Sequence, residues 1–487
     1  MRALFRDQPR AFYMIFLLEM WERFGFYTVQ GILTLYFIRF LGFDHKTAFY
    51  TFGAFSALVY GMVAIGGFLG DKVLGTKRTI VIGLVTLCLG YLALAITTKE
   101  YVFLALGLIC VGNGLFKANP SNLLAKCYED GDHRLHGGFT LYYMAVNLGS
   151  TVALIAGPTI SAKYGYPYAY LLSAIGLLIG LINYAFQRHH IASIDTPADK
   201  RPIALWHWNI IIIGILFATK ASAYLLQHVM IAKNILWVVI AMVLVTYFVY
   251  MSKEKKSSVL KMILALILMF EAVIFFVLYQ QMPTSINLFA INNVYPSLFG
   301  ISIDPQSFQA LNPLWIIVMS PLMAMLYEKL YKKGVDFPMP YKFASGMTLC
   351  GISFLILYLP RFFHTDLGIV SSWWLIASYF FQSIGELMVS ALGVAMVAEL
   401  VPVHITGFVM GMFFLTPAIA AFIGAYVASL TALPETIVPG VQSLNIYTHV
   451  FLWIGVVIMG VSLVMWVASP FLARMMGKKH KSSASML

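Results

Sequence analysis

The sequence predicts an all-α, polytopic membrane protein, and three observations carry that prediction. Of its 487 residues, 60% are hydrophobic and 11% are charged, against about 25% charged in an ordinary globular domain. Apolar runs of about 20 residues, the length that crosses a hydrocarbon core of about 30 Å, recur from residue 12 to residue 471. Lysine and arginine concentrate in alternate connections between those runs.

Fourteen runs are expected to span, over residues 12–38, 48–70, 79–98, 101–125, 138–161, 168–187, 204–226, 229–251, 260–290, 310–331, 342–360, 373–400, 405–430 and 446–471. The first is expected to remain as a helix. It is too long and too charged for a cleaved signal, and no small-residue cleavage pattern follows it. With the N-terminus in the cytoplasm, 23 of the 32 Lys and Arg fall at cytoplasmic positions. Six lie outside (Arg39, Lys46, Lys99, Lys163, Lys233 and Arg361) and three within spans (Arg23, Lys117 and Lys220). The positive-inside rule therefore places both termini in the cytoplasm.

The same loops account for the net charge of +12, so no nucleic-acid surface is expected. The four cysteines are scattered without metal-ligand spacing and read as packing residues. No metal or other cofactor is expected. Two groups of six spans flank an extra pair, which suggests a bundle over 1–190, a linker and inserted hairpin over 191–257, a second bundle over 258–473 and a tail over 474–487. No connection is long enough to fold alone, so function must sit within the helices.

Between the second and third spans lies GGFLGDKVLGTKR (66–78). Its small residues allow close helix approach, and Asp71 can pair with Lys72, Lys77 and Arg78 across helix ends. The segment resembles the conserved loop of the major facilitator superfamily, which implies a fold of two six-helix bundles.

Charges inside the spans are the strongest functional signal. In FLLEMWERFGFYTVQG (16–31), Glu19, Glu22, Arg23, Tyr27 and Gln30 follow helical spacing and form one polar stripe. Lys117, Glu271 and Glu386 are the other ionisable residues deep in the main spans. Each costs roughly 2.5–3.5 kcal/mol at a helix centre on insertion scales, so each needs a partner or a watery cavity. Further stripes flank them: Asn113, Lys117 and Ser121; Tyr143 and Asn147; Gln382, Glu386 and Ser390.

Four carboxylates against two cations leave an imbalance of −2. A low-dielectric cavity resists that imbalance, and one or two bound protons relieve it. The eleven histidines lie at span ends or in loops, so carboxylates must carry any coupled proton. Arg23 and Lys117 offer a cationic anchor and Glu386 an anionic one in the other half. A zwitterion with separated ammonium and carboxylate, such as a short peptide, would bridge them. The alternative is that Lys117 with Glu386, and Glu22 with Arg23, only hold helices together.

Six ordered segments resemble the proton-dependent oligopeptide transporters, and within them the bacterial di- and tripeptide permeases. They are EMWERFGFY (19–27), GGFLGDKVLGTKRTI (66–80), GNGLFKANPS (112–121), FTLYYMAVNLGS (139–150), LYQQMPTSINLFAINNV (278–294) and SIGELMVSALGVAMVAELVP (383–402). The resemblance implies an inner-membrane symporter that imports di- and tripeptides with protons, acts as a monomer and draws on the proton gradient alone.

By the same resemblance, Glu19, Glu22, Arg23 and Lys117 couple protons, and Arg23 and Lys117 take the peptide carboxylate. Glu386, with Asn147 and Asn312, takes the amino terminus, and a Lys117–Glu386 pair closes the inner side. Tyr27, Tyr60, Tyr143 and Gln280 line the substrate, while Asp71, Lys77 and Arg78 form the conformational loop. The chain departs from the family pattern in having Phe26 before Tyr27, Gln30 for a second arginine, and Tyr279 and Gln280 where relatives carry an acid.

Two rivals are weaker. An anion carrier on the same fold conflicts with Glu386, which would repel its substrate. A sensor or intramembrane enzyme lacks an output domain, zinc-type histidine spacing and a nucleophile beside a general base.

Overall fold

The computed structural model describes residues 5–129, 132, 134–194, 196–202, 204–298, 300–333, 337–389, 393–434 and 436–475. Ser390 lies outside the described residues. The chain runs as α1 (Arg10–Tyr36), α2 (His45–Phe68), α3 (Thr76–Ile96), α4 (Val102–Lys117), α5 (Asn119–Ala125), α6 (Arg134–Tyr164) and α7 (Tyr166–Gln187). It continues as α8 (Leu205–Gln227), α9 (Val229–Ser252), α10 (Lys256–Tyr279), α11 (Asn287–Asn293), α12 (Leu311–Lys332) and α13 (Met339–Ile356), and ends in α14 (Trp373–Val389), α15 (Gly393–Leu400), α16 (Thr406–Ser429) and α17 (Val441–Met475). A two-residue-per-strand hairpin, β1 (Ser297–Leu298) with β2 (Ile301–Ser302), precedes α12.

Among the described residues, thirteen helical segments are long and apolar enough to cross a membrane. They match thirteen of the fourteen expected runs. The remaining run, 373–400, is helical over Trp373–Val389 and Gly393–Leu400.

Local chemistry sets the helix ends. Gly42, at φ +77°, adopts the left-handed conformation after the first span, and Asp44 caps α2 by accepting from Thr47 N. Pro120 cannot donate to a continuing helix, so α4 ends at Lys117 and α5 starts afresh. Asn119 fills the break, donating from Nδ2 to Leu115 O at 2.7 Å and to Gly66 O at 3.2 Å. A Cβ on Gly66 would overlap the Gly114 carbonyl. The small residues of the 66–78 segment thus bring α2 against α4, and with them Tyr60 against Lys117.

Buried apolar side chains form two large clusters. One is drawn chiefly from α1–α7, with Phe12, Phe52, Leu87 and Tyr170 fully or nearly fully buried. The other is drawn chiefly from α10–α17, with Phe289, Met347, Tyr379 and Phe451 likewise buried.

The hairpin α8–α9 ties to both clusters. On α8, the Thr219 carbonyl packs so closely on Gly107 of α4 that a Cβ there would stand 2.6 Å away. On α9, Tyr247 is fully buried and its hydroxyl donates to Met262 O of α10 at 2.7 Å. Its other faces expose Ile213, Phe217, Val238 and Val245, as lipid contact requires.

The halves meet at the end that carries the Gly42 turn. Thr34 Oγ1 donates to Pro283 O at 2.8 Å, Gln309 Nε2 donates to Gly31 O at 2.9 Å, and Leu433 N donates to His45 Nδ1 at 3.4 Å. A Cβ on Gly53 would stand 2.7 Å from Ala425 Cβ and 2.8 Å from Ala421 O, so α2 and α16 touch along their backbones.

The 66–78 loop differs from expectation. Asp71 is exposed and forms no ion pair among the described residues. Asp199 of the linker takes its place. It accepts from Lys77 N at 3.3 Å and from Thr196 Oγ1 at 2.7 Å, while Arg78 Nη1 donates to Arg201 O at 2.9 Å. The reason is geometric: the turn at Gly75, φ +89°, presents the first N–H groups of α3 to the linker, and an acidic side chain stabilises a helix N-terminus.

Candidate functional site

The first-helix stripe is buried within the α1–α7 half and compensates itself. Glu22 is fully buried, Arg23 is 2% exposed and Glu19 3%. Arg23 Nε lies 2.5 Å from Glu22 Oε2 and 3.3 Å from Glu19 Oε1, a clamp of two carboxylates on one guanidinium. Asn113 of α4 donates to the other Glu22 oxygen at 3.4 Å. Glu19 Oε2 and Arg23 Nη2 are buried without a partner, so the clamp has spare valence on both signs.

Lys117 stands at the last turn of α4 with its Nζ 4.5 Å from the centre of the Tyr60 ring, in cation–π range. No carboxylate of the described residues lies within ion-pair distance of it. Glu19, Glu22 and Arg23 are the charges that act on it. These two acids and two bases sum to zero.

Glu386 belongs to the other half. It is 7% exposed on α14, and its Oε2 accepts from Asn312 Nδ2 of α12 at 2.8 Å. Asn312 also donates to Ser383 Oγ at 3.1 Å. From across the cavity the Tyr143 hydroxyl of α6 faces both Glu386 and Asn147, and Asn147 Nδ2 bonds back to Tyr143 O at 2.8 Å. Glu386 is therefore held by a neutral donor, Asn312, with no base of the described residues within ion-pair distance.

Tyr27, Tyr60, Lys117, Tyr143 and Tyr279 are all half-buried, so each keeps an accessible face in the region between the neutral quartet and Glu386. The Tyr27 and Tyr279 hydroxyls face each other across it.

Lys117 and Glu386 are unpaired in this structure, whose halves touch at the Gly42 end; the expected pair belongs to the state closed at the opposite end. One expectation needs correction. Gln280 does not line the open space: it is 5% exposed and packs on α16, where a Cβ at Gly424 would stand 2.8 Å from Gln280 Cβ. Three groups at the site were not singled out as site residues: Tyr142, whose hydroxyl faces Glu19, Tyr279 and Ser383. Tyr142 adjoins Tyr143 and Tyr279 adjoins Gln280 in segments already marked; choosing between neighbours needs the helix rotation. Glu271 stands apart, 6% exposed with Oε2 unpartnered.

Residues 77–450 match the PTR2 model of the POT family. The chain belongs to the POT family. Dipeptide and tripeptide permease B of Xenorhabdus bovienii is 47% identical over 98% of each chain, and the protein of that name from Salmonella typhimurium is 47% identical over 96% of each.

Among solved POT structures, a crystal structure of tetrameric PepTSo2 superposes with a TM-score of 0.85 at 35% identity, covering 96% of this chain and 99% of that one. Peptide transporter POT in complex with sulfate superposes at 0.81 with 27% identity, covering 96% of each chain. The fold is accordingly that of a POT transporter, a multi-pass membrane protein and not an enzyme.

Proposed function

We propose that this POT member imports di- and tripeptides with protons across the bacterial inner membrane, by alternating access between two halves. The observation that carries the reading is the separation of charge: a neutral quartet of two acids and two bases on one side, and an isolated Glu386 on the other. A peptide's ammonium group completes Glu386, displacing or joining the Asn312 donor.

Its carboxylate gains little while Glu19 and Glu22 are both ionised, because their charges already offset Arg23 and Lys117. A proton on Glu22 changes this. It leaves Arg23 and Lys117 with one net positive charge, and the peptide carboxylate neutralises it. Proton and peptide then favour each other's binding, the reciprocal linkage that symport requires.

The closed contacts at the Gly42 end support an inward-facing state in which the site opens toward the end bearing the termini, placed in the cytoplasm by the basic loops. Rocking of one half against the other about this site would exchange access. All the named groups come from one chain, so a monomer suffices, and the proton gradient serves as the energy source in place of a cofactor.

Competition for labelled dipeptide uptake tests the recognition. Free di- and tripeptides compete, whereas N-acetylated or C-amidated dipeptides compete at least tenfold less well. Equal competition by blocked peptides, by single amino acids or by nitrate would overturn it.

A further inference from the structure

A crevice of about 630 Å³ opens on the outer side of the contact between the halves, within the size range of small-ligand sites. One wall is α6, through Thr151, Ile155 and Lys163; the other is the α10–α17 half, through Asp304, Ser307 and Leu311. Its mouth faces hydrocarbon, because exposed apolar stripes flank it: Leu148, Val152 and Ile155 on α6, and Leu314, Val318 and Leu322 on α12. Exposed Tyr164, Tyr168 and Tyr295 mark the level of the lipid headgroups. From Lys163 the wall descends twelve residues to Thr151, about 18 Å of helix, the direction an acyl chain takes.

The polar groups collect at the headgroup end. Lys163 is exposed, rests its Nζ 5.2 Å from the Tyr164 ring centre and is not paired with Asp304. Lys163 and Asp304 are the charged residues of the lining, and Arg39 lies near Asp304. Ser307 is 5% exposed and its Oγ has no partner.

We propose that this crevice binds an anionic phospholipid, with one acyl chain between α6 and α12 and the phosphate on Lys163 and Ser307. Its two walls belong to the two halves, so the lipid binds the state in which this end is closed and shifts the population toward it.

The test is photolabelling of the full chain in nanodiscs of zwitterionic lipid doped with phosphatidylglycerol that carries a diazirine on its acyl chain. Adducts are expected on residues 151–163 and 304–314. Ala162→Trp, which fills the crevice from an exposed position, should lower their yield at least fivefold. Lys163→Ala should abolish the preference for phosphatidylglycerol over an equally labelled phosphatidylethanolamine. Adducts as frequent on the lipid face of α17 at Val457 and Val464, or yields unchanged in Ala162→Trp, would overturn the proposal, as would equal labelling by the two headgroups in the wild type.

Discussion

Asn312 donates a 2.8 Å hydrogen bond to Glu386, and the two residues, 74 positions apart in sequence, sit on different helices of one half. A hydrogen bond to a charged group is worth about 1.5–3 kcal/mol. Asn312→Leu is therefore expected to raise the KM for dipeptides about tenfold or more, with a smaller effect on kcat. Concentration series of initial uptake, corrected for protein in the membrane, separate the two.

Glu22 and Arg23 form the other decisive pair. Removing one member of a buried pair costs about 3–5 kcal/mol when it leaves a bare charge, but Glu22→Gln keeps an acceptor beside Arg23, and Glu19 still offsets the charge. The variant should insert and fold. It is expected to lose at least nine-tenths of proton-driven accumulation while peptide exchange across equal pH persists. Exchange and gradient-driven uptake measured on one preparation give the comparison.

Gly53 tests the closed contact. Its backbone lies against Ala421 and Ala425, so Gly53→Leu wedges α2 from α16 and favours the state open at that end. A cysteine placed at Asn287, which is 1% exposed at present, should then react at least fivefold faster with a membrane-impermeant thiol reagent, and net uptake should fall.

Asp199 holds the linker to the start of α3 through Lys77 N and Thr196. Asp199→Ala removes a half-buried helix-terminus acceptor worth about 0.5–2 kcal/mol. Faster proteolysis within 191–202, with the spans intact, is the expected outcome.

The spans were legible because hydropathy over 20 residues is a strong signal, and the stripe through Glu19, Glu22 and Arg23 because one helix fixes its own spacing. Contacts between helices were not. Lys117 and Glu386 are natural partners by charge alone, but whether they meet depends on how the two halves are rocked, which spacing within one helix does not encode. Asp71 was the obvious acid for Lys77 and Arg78 by proximity in sequence, whereas the linker that supplies Asp199 reads as an ordinary polar loop. Gln280 and Tyr279 differ by one residue and about 100° of rotation, and only packing on Gly424 decides which faces the cavity. The hairpin α8–α9 is visible as two apolar runs, but its attachment to one half through Gly107 and to the other through Tyr247 depends on tertiary contacts.

Uptake of a labelled dipeptide into proteoliposomes, with an imposed inward proton gradient and with that gradient collapsed, tests the central claim most directly. Accumulation above equilibrium is expected only with the gradient, and Glu22→Gln and Glu386→Gln should each abolish it. Gradient-driven accumulation that persists undiminished in both variants, or folded wild-type protein that takes up no peptide under either condition, would contradict it.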